Sequence, residues 1–238
     1  FENFADKEAS NSLNYWFEWM DANQRSGTGF WGTNKESDYF EGLGGFYHQF
    51  VIYAYMNRKV NLPKRIIDRI LYLQQPDGLF YPGNGGASCD DIDGITPLVY
   101  FYKRYDYRRD EIKIALEKAL DSILKNRRTD GGFCWGQRDF LSLKTYKHIF
   151  FNIIYMKDNF YWFFCIKRFI IGKLLVRLAK PKIATGWSKY SRYEFESSLF
   201  DTWLRLVTIG EICSIVDDVA LSGLKLNYQK VPGLCWFK

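Results

Sequence analysis

The chain has few of the residues that announce a specialised class. Five cysteines, two histidines and six prolines are spread over 238 residues. Cys89, Cys134, Cys165, Cys213 and Cys235 are odd in number and form no C-x-x-C pair. This excludes a zinc ribbon and a disulfide framework and points to reduced, mostly buried thiols. No run of about 18 uncharged apolar residues occurs, so no membrane-spanning helix is expected. No basic-then-apolar leader precedes the first elements, and the chain starts at Phe1 rather than Met. It is therefore expected to be truncated or processed. Strand signals are sparse. No nucleic-acid-binding motif accompanies the basic charge, so nucleic acid is not an expected partner.

What is present is apolar and aromatic mass. Hydrophobic residues make up 47% and aromatics 19% of the chain, enough for a substantial core. Charged residues, at 25%, are at the ordinary level for a folded domain. The net charge of +6 is unevenly placed. From Lys144 to Tyr193 there are eleven Lys or Arg against one acid, Asp158, so the remainder of the chain is net acidic.

A glycine followed by a large apolar residue recurs at Gly29-Phe30, Gly78-Leu79-Phe80, Gly131-Gly132-Phe133, Gly186-Trp187 and Gly233-Leu234. The markers Phe30, Phe80, Phe133, Trp187 and Leu234 stand 50, 53, 54 and 47 residues apart. A period near 50 implies stacked supersecondary units. Between the markers the pattern is helical. Ile66, Ile67, Ile70, Leu71 and Leu73 follow Pro63 at helical spacing and stop at Pro76-Asp77-Gly78. Ile112, Leu116, Ala119, Leu120, Ile123 and Leu124 form a second stripe, acidic at its start and basic at its end. Further helices are expected at 11–24, 42–57, 97–105, 144–157, 160–178 and 195–216. The expectation is one all-α domain over 1–238, built of helical hairpins turning near 30, 80, 133, 187 and 234. The closing "VPGLCWFK" reads as a further unit just beginning, which fits truncation at both ends.

Gln74-Gln75-Pro76-Asp77-Gly78-Leu79-Phe80 and Asp130-Gly131-Gly132-Phe133 resemble the prenyltransferase and squalene-oxidase repeat. That repeat belongs to the terpenoid cyclase and protein prenyltransferase superfamily, and the likeness is best from about Gly42 to Gly136. It implies an α/α toroid, or an open arc of one, with inner helices around a cavity and outer helices clothing them. Class II terpene cyclases carry an Asp-x-Asp-Asp signature whose middle acid protonates an alkene or epoxide. Asp91-Ile92-Asp93-Gly94 is similar to it, with glycine in the last place, and the resemblance implies Asp93 as that acid. Protein prenyltransferase β subunits bind zinc through Asp, Cys and His. Cys89 with Asp90 or Asp91 resembles part of that set, but neither His48 nor His148 completes it, and no metal is expected.

Three stretches hold candidate chemistry. In "GGASCDDIDGITPL", Asp90, Asp91 and Asp93 crowd four positions. Like charges this close raise one another's pKa, and an acid kept protonated can donate a proton. Asp90 and Asp93, three apart, share a helix face, with Asp91 turned away. The plain alternatives are local: Ser88 to Asp91 as a capping box, or Thr96 as N-cap with Pro97 in the first turn. Mg²⁺ on the Asp-Asp-x-Asp cluster, with a diphosphate, is a further option. In "SRYEFESSLFDTWLRL", Glu194, Ser197, Ser198, Asp201 and Arg205 make a polar stripe. It is either a solvated face with Asp201–Arg205 pairing or a cavity wall backed by the aromatic side chains of Phe200 and Trp203. In "YFEGLGGFYHQF", Gly42, Gly44 and Gly45 permit close approach, and Tyr47 and His48 are candidate substrate contacts.

The basic segment interleaves Lys167, Arg168, Lys173, Arg177 and Lys180 with Phe, Ile, Leu and Trp. It reads as a core helix with a basic face, or as an interfacial helix on anionic lipid. Three functions follow. The leading one is an isoprenoid cyclase- or prenyltransferase-like enzyme with Asp93 as general acid. The second is a carbohydrate-active or glycan-binding toroid. The third is a non-catalytic interaction or membrane-docking scaffold. The expected partner is a lipid-like or glycan small molecule, together with an anionic membrane surface. The expected location is cytoplasmic, peripheral on the membrane.

Overall fold

A computed structural model describes residues 7–81, 85–136, 196–217 and 221, together with positions 163, 167 and 170 and the backbone of 182–184 and 191–193. The described chain is helical, as expected. Its helices are α1 (Lys7–Ala22), α2 (Phe40–Tyr55), α3 (Pro63–Leu73), α4 (Ser88–Arg104), α5 (Arg109–Lys125) and α6 (Leu199–Cys213). A 3₁₀ turn spans Lys35–Asp38, and a two-stranded antiparallel ribbon pairs Lys182–Ala184 with Ser191–Tyr193. The helices expected at 144–157 and 160–178 lie outside the described residues, except that Phe163, Lys167 and Ile170 are helical. The turns expected near 187 and 234 also lie outside them.

The apolar stripes do what their spacing requires. Ile66, Ile67 and Ile70 on α3, and Ile112, Leu116 and Ile123 on α5, are fully buried. Pro63 starts α3, where a missing N–H costs nothing. Pro97 continues a helix rather than beginning one: it sits inside α4, so the alternative with Thr96 as N-cap falls. An internal proline removes one helix hydrogen bond, to the carbonyl four residues back. The cost is offset by burial, because every α4 residue from Asp91 to Phe101 is shielded from solvent. Helix α4 is the hub and packs against α2, α3, α5 and α6.

Three glycine turns share one hydrogen-bond scheme. Gly29, Gly78 and Gly131 have φ of +77°, +90° and +88°. The side chain before each glycine accepts the N–H just after it: Thr28 from Phe30 (3.2 Å), Asp77 from Leu79 (3.1 Å) and Asp130 from Gly132 (3.0 Å). A backbone bond closes each turn, from Arg25 to Phe30 O, Gln75 to Leu79 O and Arg128 to Gly132 O. Two glutamines tie a turn to a later stretch of chain. Gln24 donates to Gly29 O and to Asn61 O, beside the start of α3. Gln74 donates to Gly78 O and to Ala115 O in α5.

The third turn leads to α6 across a long gap in sequence. The Phe80 N–H bonds the side chain of Asp91, the fourth residue of α4. Likewise the Phe133 N–H bonds Thr202 Oγ1, on the fourth residue of α6. The Ser198 N–H bonds Phe133 O at 3.2 Å, and Cys134 bridges Ser197 in antiparallel fashion. Helices α4 and α6 run parallel, because Ser88 meets Asp201, Asp91 meets Arg205 and Thr96 meets Glu211.

The turns make a stability prediction. A Cβ on Gly78 would lie 2.7 Å from the Lys118 backbone, whereas one on Gly131 meets nothing within 4 Å. Gly78→Ala is expected to cost about 2–4 kcal/mol, from positive-φ strain plus the clash, and Gly131→Ala about 1 kcal/mol from strain alone. Urea unfolding midpoints of the two variants check the difference.

Candidate functional site

The three acids at the head of α4 have three different environments. Asp91 is fully buried. It accepts hydrogen bonds from Phe80 N (2.8 Å), Ala87 N (2.9 Å) and Arg205 Nη1 (2.6 Å). Ala87 is the N-cap, so Asp91 reaches back to an N–H that the helix leaves unpaired. This resembles half of the expected capping box, but with Ala87 rather than Ser88 as the cap. Arg205 is also fully dry and donates through Nη2 to Trp135 O at 2.7 Å. A buried pair of this kind is costly to break, because a lone charge is left behind.

Asp93 points elsewhere. It is 8% exposed and faces α2 at Gly44, where a Cβ would stand 3.3 Å from its Oδ2. Among the described residues its carboxyl makes no hydrogen bond. Burial, then the charges of Asp90 and Asp91, push its pKa well above the usual carboxylate range. Asp90 is half-buried. The acids therefore do not gather around a common point. The Mg²⁺ arrangement loses Asp91, whose two oxygens are taken by N–H donors. Among the described residues no three His, Cys, Asp or Glu side chains come together to hold a metal ion. Gly94, where the cyclase signature has its last acid, is filled from outside: a Cβ would lie 2.5 Å from the Phe80 ring.

An aromatic rim stands at the same end of α2 and α4. Phe40 meets Tyr81 edge-on at 5.8 Å, and Tyr81 meets Trp135 edge-on at 5.1 Å. Tyr81 and Trp135 are half-buried, and Trp135 hydrogen-bonds Cys89. Burial, then the neighbouring acids, push the Cys89 thiol up to about 12, so it stays protonated and is a poor nucleophile or metal ligand.

The second candidate stretch is corrected. Its polar stripe is not a solvated face. Asp201 and Arg205 are fully buried, and Asp201 accepts from Ser88 Oγ (2.5 Å) and Ser198 Oγ (2.6 Å). Trp203 and Phe200 are 43% and 37% exposed, and Trp203, two residues before Arg205, stands on the opposite side of the helix from it. Glu194 lies outside the described residues. In the third stretch Tyr47 is buried against the exposed His48 ring, one helical turn beyond Gly44. Lys167 is exposed; Arg168, Lys173 and Arg177 lie outside the described residues.

The reading from sequence missed Arg205 as the partner of Asp91, the Tyr81–Trp135 rim, and Glu211. Glu211 accepts from Thr96 Oγ1 at 2.6 Å, while its Oε1 has no partner. The signal for it was an acid among the apolar residues of the last turns of α6. Burial raises Glu211 to about 8, against an ordinary value of 4.5. Below pH 4.5 folded and unfolded chains both hold this proton. As pH climbs towards 8 only the unfolded chain has released it, so stability is lost across that interval. Glu211→Gln is expected to remove this loss. Its stability relative to wild type should rise by at least about 1 kcal/mol between pH 5 and pH 8 in urea unfolding. No protein-family model, curated protein or solved structure matches the chain.

Proposed function

We propose that this chain is an isoprenoid cyclase- or prenyltransferase-like enzyme built on an arc of an α/α toroid, with Asp93 as its general acid. The observation that carries the reading is Asp93 itself: buried, without a hydrogen-bond partner among the described residues, and inclined to keep its proton. The architecture is compatible with it. Helices α2, α4 and α6 lie side by side in that order, as an inner row would, and α3 and α5 pack on them as outer helices would. The acids and the aromatic rim then fall at one end of the inner row.

In this reading the substrate is an apolar polyprenyl chain. Asp93 gives its proton to a carbon–carbon double bond: the O–H bond breaks, a C–H bond forms, and a carbocation and a carboxylate result. The π faces of Tyr81 and Trp135 stabilise the cation, and loss of a proton from the cation closes the cycle. Gly44 leaves room beside the carboxyl. Asp91 takes no part in the transfer, because Arg205 and two backbone N–H groups hold it. The half-buried Tyr81 and Trp135, the latter bonded to Cys89 next to Asp90 in the chain, also favour a second reading, stacking on a sugar ring with the acids acting on a glycan.

Wild type and Asp93→Asn, incubated with squalene and with geranylgeranyl diphosphate, test the first reading by product analysis. The expected result is cyclised product from wild type and at least about a hundredfold less from the variant. Equal turnover in both, or none in either, contradicts it.

A further inference from the structure

The basic excess of the chain lies in a stretch that interrupts the path from the third turn to α6. From Gly29 to α2 and from Gly78 to α4 the chain needs only a short connection. Gly131 and α6 are joined by the same Phe N–H bond to the fourth helix residue, yet residues 137–195 stand between them. The two ends of that stretch emerge side by side, since Cys134 bridges Ser197 and Phe133 O accepts from the Ser198 N–H. Among the described residues α4, α5 and α6 pack directly on one another. Eleven Lys or Arg and one acid fall between Lys144 and Tyr193, within its limits.

Three of its residues are described. Phe163, Lys167 and Ile170 are helical, and their spacing of four and three puts them on one face. Phe163 is 66% and Ile170 50% exposed, and Lys167 between them is exposed as well. Two large apolar side chains flanking a lysine suit an interface that is greasy beneath and negative above. An anionic polymer such as nucleic acid would reward the charge but not the exposed Phe and Ile.

We propose that the helical face carrying Phe163, Lys167 and Ile170 docks on an anionic lipid surface. The apolar pair enters the headgroup–acyl boundary while Lys167 stays at the level of the lipid phosphates. The proposal stands independently of the catalytic reading.

Flotation of the full-length chain with vesicles tests it. One set is pure phosphatidylcholine and the other contains about 30% phosphatidylserine, near the charge of a cytoplasmic leaflet. Binding is expected to the anionic vesicles only, weakening as salt is raised. Lys167→Glu should reduce the bound fraction about fivefold or more. Phe163→Ser with Ile170→Ser should reduce it more than tenfold, with an unchanged thermal melt. Binding to neither set, equal binding to both, or anionic binding that neither Lys167→Glu nor the double variant weakens would overturn the proposal. So would retention on duplex DNA without vesicle binding.

Discussion

The structure depends on one dry ion pair, Asp91 with Arg205, joining residues 114 positions apart. Both side chains are wholly removed from water, so each charge is tolerable only because the other is there. The pair does more than neutralise itself. Asp91 also holds the backbone of Phe80, just past the second turn, and of Ala87 at the start of α4. Arg205 also holds the carbonyl of Trp135, beyond the third turn. Three stretches distant in sequence, 80–91, Trp135 and Arg205, are thereby fixed around two side chains. The packing leaves no slack: a Cβ on Gly86 would collide with Asp91 and crowd Arg205.

That arrangement sorts the acid cluster. With Asp91 drawn towards Arg205, Asp93 is left facing α2 without a cation among its perturbing neighbours. The same bonds place Trp135 against Tyr81 at the site's edge. A structural ion pair and a candidate proton donor thus arise within a single turn of one helix, separated by which side of α4 each residue occupies. Packing and chemistry are coupled here, because loosening α6 would disturb the rim as well as the hub.

Local features were legible in the sequence. Glycines at 29, 78 and 131 announced turns, since positive φ is inexpensive only for glycine. The stripes of α3 and α5 gave their buried faces directly. The separation of Asp91 from Asp93 also followed from helical spacing. What sequence could not supply was any bond made across a hundred residues. Ser88–Asp201, Asp91–Arg205 and Thr96–Glu211 depend on α4 and α6 lying parallel, and no local pattern encodes that. The solvated reading of the α6 stripe fails for this reason: a polar helix face buried against another polar face looks the same in sequence as one in water. Pro97 left two helix starts open in the sequence, and the burial of α4 settles it inside the helix.

The central claim is that Asp93 is a carboxyl that keeps its proton beyond the ordinary aspartate range. Carbon-13 NMR of the aspartate carboxyls, with Asp93 assigned by its loss in Asp93→Asn, measures this directly. The account predicts that the Asp93 resonance titrates well above those of the exposed aspartates. Titration together with them would contradict it.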